Sequence, residues 1–296
     1  NDQSRIHFAE AVEAAQNSEV IVAVMGEQAG LLSGEGYDRD SLTLAGVQEE
    51  LIVELAKTGK PIILVLVNGR PLSLVRLEPL CAAIIEAWYP GQEGGRAIAS
   101  VLFGDHNPSG KLSVGFPKNE GQIPVHYNRR PTGMLGCQME QRSRPQYPFG
   151  HGLSYTRFSY RELNLESGNI PCDGTIRLSF KLRNEGCRDG SEVVQLYIRD
   201  LVGSTSRPLK ELKGFRKIML AGEEEKQISV TLPTECLAFH NRDMKLVVEA
   251  GTVAIMIGSS SEDIRLESQV ELTGPDRLIK ERSIFFSSME DTTIQG

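Results

Sequence analysis

Several familiar signatures are missing from this 296-residue chain. Its cysteines, Cys81, Cys137, Cys172, Cys187 and Cys236, are odd in number and include no Cys-x-x-Cys pair, so they signal neither a zinc site nor a disulfide framework, and free thiols are expected. Positive charge is in deficit: Lys plus Arg total 32 against 39 Asp plus Glu, and the net charge of -7 repels nucleic acid and anionic membrane surfaces. The longest apolar runs, Val20 to Met25 and Ile62 to Val67, fall far short of the roughly 18 to 20 residues that span a bilayer. The five histidines are dispersed without metal-ligand spacing and read as surface or hydrogen-bonded side chains. Asn1-Asp-Gln-Ser lacks the basic and apolar segments of a signal peptide, so any targeting segment is expected to be absent or removed.

What is present is the composition of a globular protein, 40% hydrophobic and 24% charged, with length enough for about two domains. From Ser4 to about Phe116, the apolar stretches Val20 to Met25, Val47 to Ala56, Ile62 to Val67, Ala82 to Trp88 and Ala97 to Phe103 read as β-α-β-α-β, after a helix from about Ile6 to Gln16. Continuous apolar strands of this kind imply a mainly parallel sheet covered on both faces. Gly59 and Pro61 close one helix, and Gly94-Gly95 opens another that ends at Gly104. Beyond a Gly-, Pro- and Arg-rich stretch, short alternating strands at Ile176 to Leu182, Glu192 to Ile198, Lys226 to Thr231, Lys245 to Glu249 and Val253 to Gly258 read as an all-β sandwich. The expected organisation is an α/β domain over 1–126, a linker and loop over 127–158, a β-sandwich over 159–273 and a tail or packed-down extension over 274–296. The basic run Arg207 to Lys217 reads as a solvated hairpin face.

Two motifs mislead. Gly104 to Leu112 resembles a phosphate loop, but it has five residues between its glycines where that loop has four, and Leu where a hydroxyl belongs. Ser33 and Ser154 lie near glycines without the Gly-x-Ser-x-Gly elbow of serine hydrolases. Ligands of open α/β sheets bind at the carboxyl ends of strands, which directs attention to Gly26 to Arg39, to Asn68-Gly-Arg-Pro71 and to Trp88 to Gly95. Glu35, between two glycines, is the best acid candidate, because its neighbours leave it open to a ligand. Trp88 and Tyr89 read either as core aromatics or as a sugar platform. Asp38 and Arg39 read as a loop-supporting ion pair.

These residues resemble a known family. Ser33-Gly-Glu-Gly-Tyr-Asp-Arg39, Leu42-Thr-Leu-Ala-Gly-Val-Gln48, Asn68-Gly-Arg-Pro71, Trp88-Tyr-Pro-Gly-Gln-Glu-Gly94, Asn107-Pro-Ser-Gly-Lys-Leu112 and Tyr147-Pro-Phe-Gly-His-Gly-Leu-Ser-Tyr155 are similar, in order, to the C-terminal part of glycoside hydrolase family 3, its bacterial periplasmic β-glucosidase branch in particular. Asn184-Glu-Gly186, Glu192-Val-Val-Gln-Leu-Tyr197, Arg207 to Phe215 and Ile257-Gly-Ser-Ser-Ser261 resemble its fibronectin type III-like domain. The resemblance implies an α/β-sandwich domain that lends the general acid/base, here Glu35, to a site whose nucleophilic Asp lies on a preceding (β/α)8 barrel. That barrel's motifs are absent from this sequence, so the chain is expected to be a C-terminal portion of a larger enzyme, inactive alone.

Retaining glycosidases need two carboxyl groups about 5 to 5.5 Å apart on opposite sides of the bond, and because carboxylates suffice for this reaction no metal or organic cofactor is implied. Glu35 and Asp38 share one loop and would approach from the same side, so a barrel, in the same protein or a separate chain, must supply the nucleophile. Arg39 is expected to point away from Glu35 and to pair with Asp38 or Asp40. The implied function is part of an exo-acting β-glucosidase acting on β-linked oligosaccharides or glycosides, periplasmic or secreted, with a homodimer as a further partner and β-xylosidase specificity open. The other reading is a noncatalytic carbohydrate-binding or subunit-docking module.

Overall fold

The computed structural model describes residues 3–30, 32–34, 36, 38–131 and 144–294. These form two compact units, one comprising 1–106, 115–125 and 145–147, the other 107–114, 126–144 and 148–296.

The first unit is α/β. Helix α1 (Phe8–Gln16) leads into strand β1 (Ile21–Gly26), followed by α2 (Gln48–Ala56), β2 (Ile62–Val67), β3 (Ala83–Glu86) and α3 (Gly94–Leu102). The three strands are parallel in the order β1-β2-β3, with Ile21 opposite Ile62 and Ile63 opposite Ala83. Central β2 is the most apolar segment and the most buried, with Ile62, Leu64, Val65 and Leu66 all at 0% exposure. Helix α2 buries Ile52 and Leu55, a three-residue spacing that sets both on one helical face. Two expectations are corrected. Between β2 and β3 there is no α-helix, only a 3-10 turn at Glu78–Leu80, because Pro71 and Pro79 remove the amides a longer helix would need. On β1 only Ala23 is buried, and Val22 and Val24 are 48% and 61% exposed, so one face of that strand is open.

The second unit is a β-sandwich. Its strands are β4 (Phe158–Leu165), β5 (Asn169–Pro171), β6 (Thr175–Asn184), β7 (Gly190–Asp200), β8 (Glu211–Leu220), β9 (Glu225–Pro233), β10 (Phe239–His240), β11 (Leu246–Val248), β12 (Gly251–Gly258), β13 (Ile264–Thr273), β14 (Arg277–Leu278) and β15 (Ser288–Thr293). A five-stranded sheet, β5-β13-β12-β7-β8, and a four-stranded sheet, β15-β9-β6-β4, enclose a core that includes Phe180, Leu182, Leu196, Ile218, Ile228 and Ile255, and β10-β11-β14 form a small third sheet. The alternation that predicts β6 is visible in its burial, where Ile176, Leu178, Phe180 and Leu182 all face inward. Asn184 ends that strand fully buried, its Oδ1 accepting from Thr156 Oγ1 (2.5 Å) and Gly186 N–H (3.1 Å), its Nδ2 donating to the Arg188 and Ala221 carbonyls.

The boundaries also depart from expectation. Residues 107–114 pack with the second unit, 145–147 with the first, and Tyr127, placed in the linker, stacks on Phe149 with centroids 4.4 Å apart. Of the two readings of the last segment, the structure shows the packed-down extension: β15 pairs antiparallel with β9 and buries Met289 in the core. The basic run is a solvated face only at its end, where Arg216 and Lys217 are exposed. It enters strand β8, where Lys213 is buried, and both Arg207 and Lys213 pair with Glu211, at 2.6 and 3.0 Å. Their charges are thus matched locally, which lets an apparently soluble stretch be half-buried.

Candidate active site

A parallel sheet brings the carboxyl ends of its strands to one edge. There β1 ends at Gly26, β2 at Val67 and β3 at Glu86. The strand ends are close: a Cβ on Gly26 would lie 1.9 Å from the Val67 carbonyl oxygen. Gln48, the first residue of α2, fastens the helix to this edge. Its Oε1 accepts from Gly26 N–H at 2.8 Å, and its Nε2 donates to the Gly26 and Ala45 carbonyls, both at 2.9 Å.

Immediately after β1 stands Glu27, whose side chain has no exposed surface. A carboxylate in that position has to be paired and hydrogen-bonded. Arg70, in the turn after β2, forks onto it, Nε to Oε2 at 2.9 Å and Nη2 to Oε1 at 2.8 Å. Arg39 donates to Oε1 from the other side. The remaining guanidinium donors reach loop carbonyls: Arg39 binds Leu32 O (3.0 Å) and Thr43 O (3.3 Å), and Arg70 binds Ser41 O (3.2 Å). Arg39 was expected to pair with Asp38 or Asp40. Both are exposed, and among the described residues neither forms an ion pair with Arg39, because the buried Glu27 is the partner that water cannot replace. Glu35 lies outside the described residues; Ser33, Gly34 and Gly36, which flank it, are described.

Asn68 is fully buried and donates from Nδ2 to the Arg70 carbonyl at 2.7 Å, shaping the turn that presents Arg70. At the end of β3, Glu86 accepts from the Trp88 amide at 3.0 Å. Burial pushes the Glu86 carboxyl up to about 7, against the opposing pull of hydrogen bonds from Trp88 and Asn68. Trp88 takes the left-handed backbone conformation, φ 51°, which the Glu86 contact helps to hold, and its ring meets Phe116 edge-on at 5.9 Å. Tyr89 is 45% exposed, donates its hydroxyl to the Glu27 carbonyl at 3.1 Å, and lies on Gly69, where a Cβ would come within 2.5 Å of the ring.

The edge thus gathers Arg39, Trp88 and Tyr89 with three residues the sequence did not single out: Glu27, Arg70 and Glu86. Their signal was position, each at or just beyond the end of a strand. Among the described residues no group of three His, Cys, Asp or Glu is placed to hold a metal ion.

Comparison with known proteins bears on what this edge does. Residues 3–155 match the glycosyl hydrolase family 3 C-terminal domain, and residues 192–261 match a fibronectin type III-like domain. A periplasmic β-glucosidase of Salmonella typhimurium is 43% identical over 86% of this chain and 35% of its own length. A β-xylosidase of Formosa agariphila is 45% identical over 88% of this chain and 36% of its own. The solved structure of a β-glucosidase from Erythrobacter marinus superposes with a TM-score of 0.85 at 43% identity, over 92% of this chain and 37% of that one. The chain spans about a third of the length of the curated relatives it matches.

Proposed function

Because the chain belongs to glycosyl hydrolase family 3, we propose that it forms part of a retaining, exo-acting β-glucosidase, with Glu35 as general acid/base and the nucleophilic Asp on a (β/α)8 barrel outside this sequence. The observation that supports the reading is that the chain leaves β1 at the carboxyl edge of the sheet and that Arg39, four residues after Glu35 in sequence, joins the Leu32 carbonyl before it to the buried Glu27. In the first step Glu35 gives its proton to the leaving oxygen while the barrel Asp attacks the anomeric carbon. In the second it takes a proton from the water that releases the sugar. Exposed Tyr89 and its neighbour Trp88 border the sugar. The substrate class is a terminal β-linked glucose on an oligosaccharide or glycoside, and the periplasm or cell exterior is the place of action.

The test is Glu35→Gln in the intact enzyme. A general acid contributes about 10²- to 10⁴-fold, so the variant should lose that much on an alkyl glucoside, whose leaving group needs a proton, and far less on a dinitrophenyl glucoside. Equal losses on both would remove Glu35 from the acid role.

A further inference from the structure

We infer that Glu27 is a positioning residue: its buried carboxylate gathers Arg39 and Arg70 into a clamp that fixes both stems of the segment carrying Glu35. The inference rests on the acid/base reading of Glu35.

Glu27 is itself tied to the sheet. Its amide donates to the Val67 carbonyl at 2.9 Å and its carbonyl accepts the Tyr89 hydroxyl at 3.1 Å, so its backbone is held by both β2 and the turn after β3. From this fixed point the two guanidinium groups reach outward. Arg39 holds Leu32, on the amino-terminal side of Glu35, and Thr43, on the carboxyl-terminal side, while Arg70 holds Ser41. These carbonyls belong to a stretch between Gly26 and Gln48 that, among the described residues, has no strand or helix of its own, so its backbone groups need partners from side chains. Long irregular connections of this kind in a compact domain are commonly functional.

A buried ion pair that served only stability would need one cation. Here a single carboxylate draws two guanidinium groups, an arrangement that apolar residues could match for stability and not for geometry. What the clamp provides is a fixed distance between loop and sheet. A misplacement of about 1 Å at a catalytic group can cost on the order of 100-fold in rate, so a general acid on an irregular loop requires such a reference point.

The experiment uses Glu27→Gln and, as a milder second variant, Arg39→Lys, both in the intact enzyme. Hydrogen exchange of peptides covering 28–43 and kcat on alkyl and dinitrophenyl glucosides are measured together. The expected result is exchange at least about tenfold faster in that segment, a kcat loss of about 100-fold on the alkyl glucoside, a much smaller loss on the dinitrophenyl glucoside, and KM nearly unchanged. A structural ion pair alone would lower kcat on both substrates equally, through loss of folded enzyme, and that outcome overturns the inference. If Glu27→Gln does not fold, Arg39→Lys carries the same two arms. Should Glu35→Gln show no leaving-group dependence, the acid/base reading fails by itself, and unchanged exchange over 28–43 in the clamp variants then overturns the clamp separately.

Discussion

Arg70 grips Glu27 through two parallel hydrogen bonds, 2.9 and 2.8 Å, joining the first residue beyond β1 to the turn beyond β2. The pair is enclosed, with the Arg70 side chain 20% exposed and that of Glu27 not at all, so removal of one partner leaves a charge in a place poor in water.

Arg70→Met is therefore expected to cost about 3 kcal/mol in urea-induced unfolding, softened by the remaining Arg39. Lys57→Met supplies the contrast. Lys57 and Glu54 are as close, 2.6 Å, yet 64% and 41% exposed, and loss of such a surface pair costs under about 0.5 kcal/mol. Equal effects of the two substitutions would show that enclosure adds nothing to the Glu27 pair.

Glu86 predicts a pH dependence. Its carboxyl titrates at about 7 in the folded chain, above the ordinary value of 4.5, because burial disfavours the charged form. The folded state holds this proton more tightly than the unfolded state does, so the contribution is complete below about pH 4.5 and is lost as pH rises through about 7. The loss is on the order of 3 kcal/mol. Glu86→Gln should abolish that slope and make the protein more stable than its parent at pH 8. Trp88 is the only tryptophan in the sequence and donates its amide to Glu86, so its fluorescence should titrate with a midpoint near 7 in the parent and stay flat in the variant. A parent fluorescence flat from pH 5 to 9 would contradict the assignment.

Met289 tests the last strand. It is 6% exposed, on β15, and belongs to the sandwich core. Met289→Ala should destabilise by about 2 to 4 kcal/mol, as for other large-to-small core substitutions. Exposed Met244, 75% accessible, should tolerate the same change with an effect within about 0.5 kcal/mol. A silent Met289→Ala would mean that β15 adds nothing to the core.

Much of this architecture is legible from residue order, for physical reasons that also explain the misses. β2 is six apolar residues in a row, Ile62 to Val67, and announces a buried strand without any partner. β15, Ser-Met-Glu-Asp-Thr-Thr, has one large apolar residue, and only the edge of β9 makes it a strand. β8 hides behind the basic residues whose charges Glu211 absorbs. At the candidate site, Glu35, Trp88 and Tyr89 stand out by their local motifs. Glu27 does not, because a carboxylate after a strand looks solvated until the fold brings in Arg39 and Arg70, which are 12 and 43 residues away. The partner of Arg39 is hidden on the same account: nearness along the chain favours Asp38 or Asp40, and burial favours Glu27.

The pairing of β15 with β9 also sets an order of events during synthesis. β9 leaves the ribosome while β10 to β14 are still to come, and until Ser288 to Thr293 emerge its outer edge carries open amides and carbonyls, the kind of surface on which nascent chains stick to one another. The four-stranded sheet therefore closes only once Ser288 to Thr293 have emerged, and until then the nascent sandwich leaves the edge of β9 unshielded.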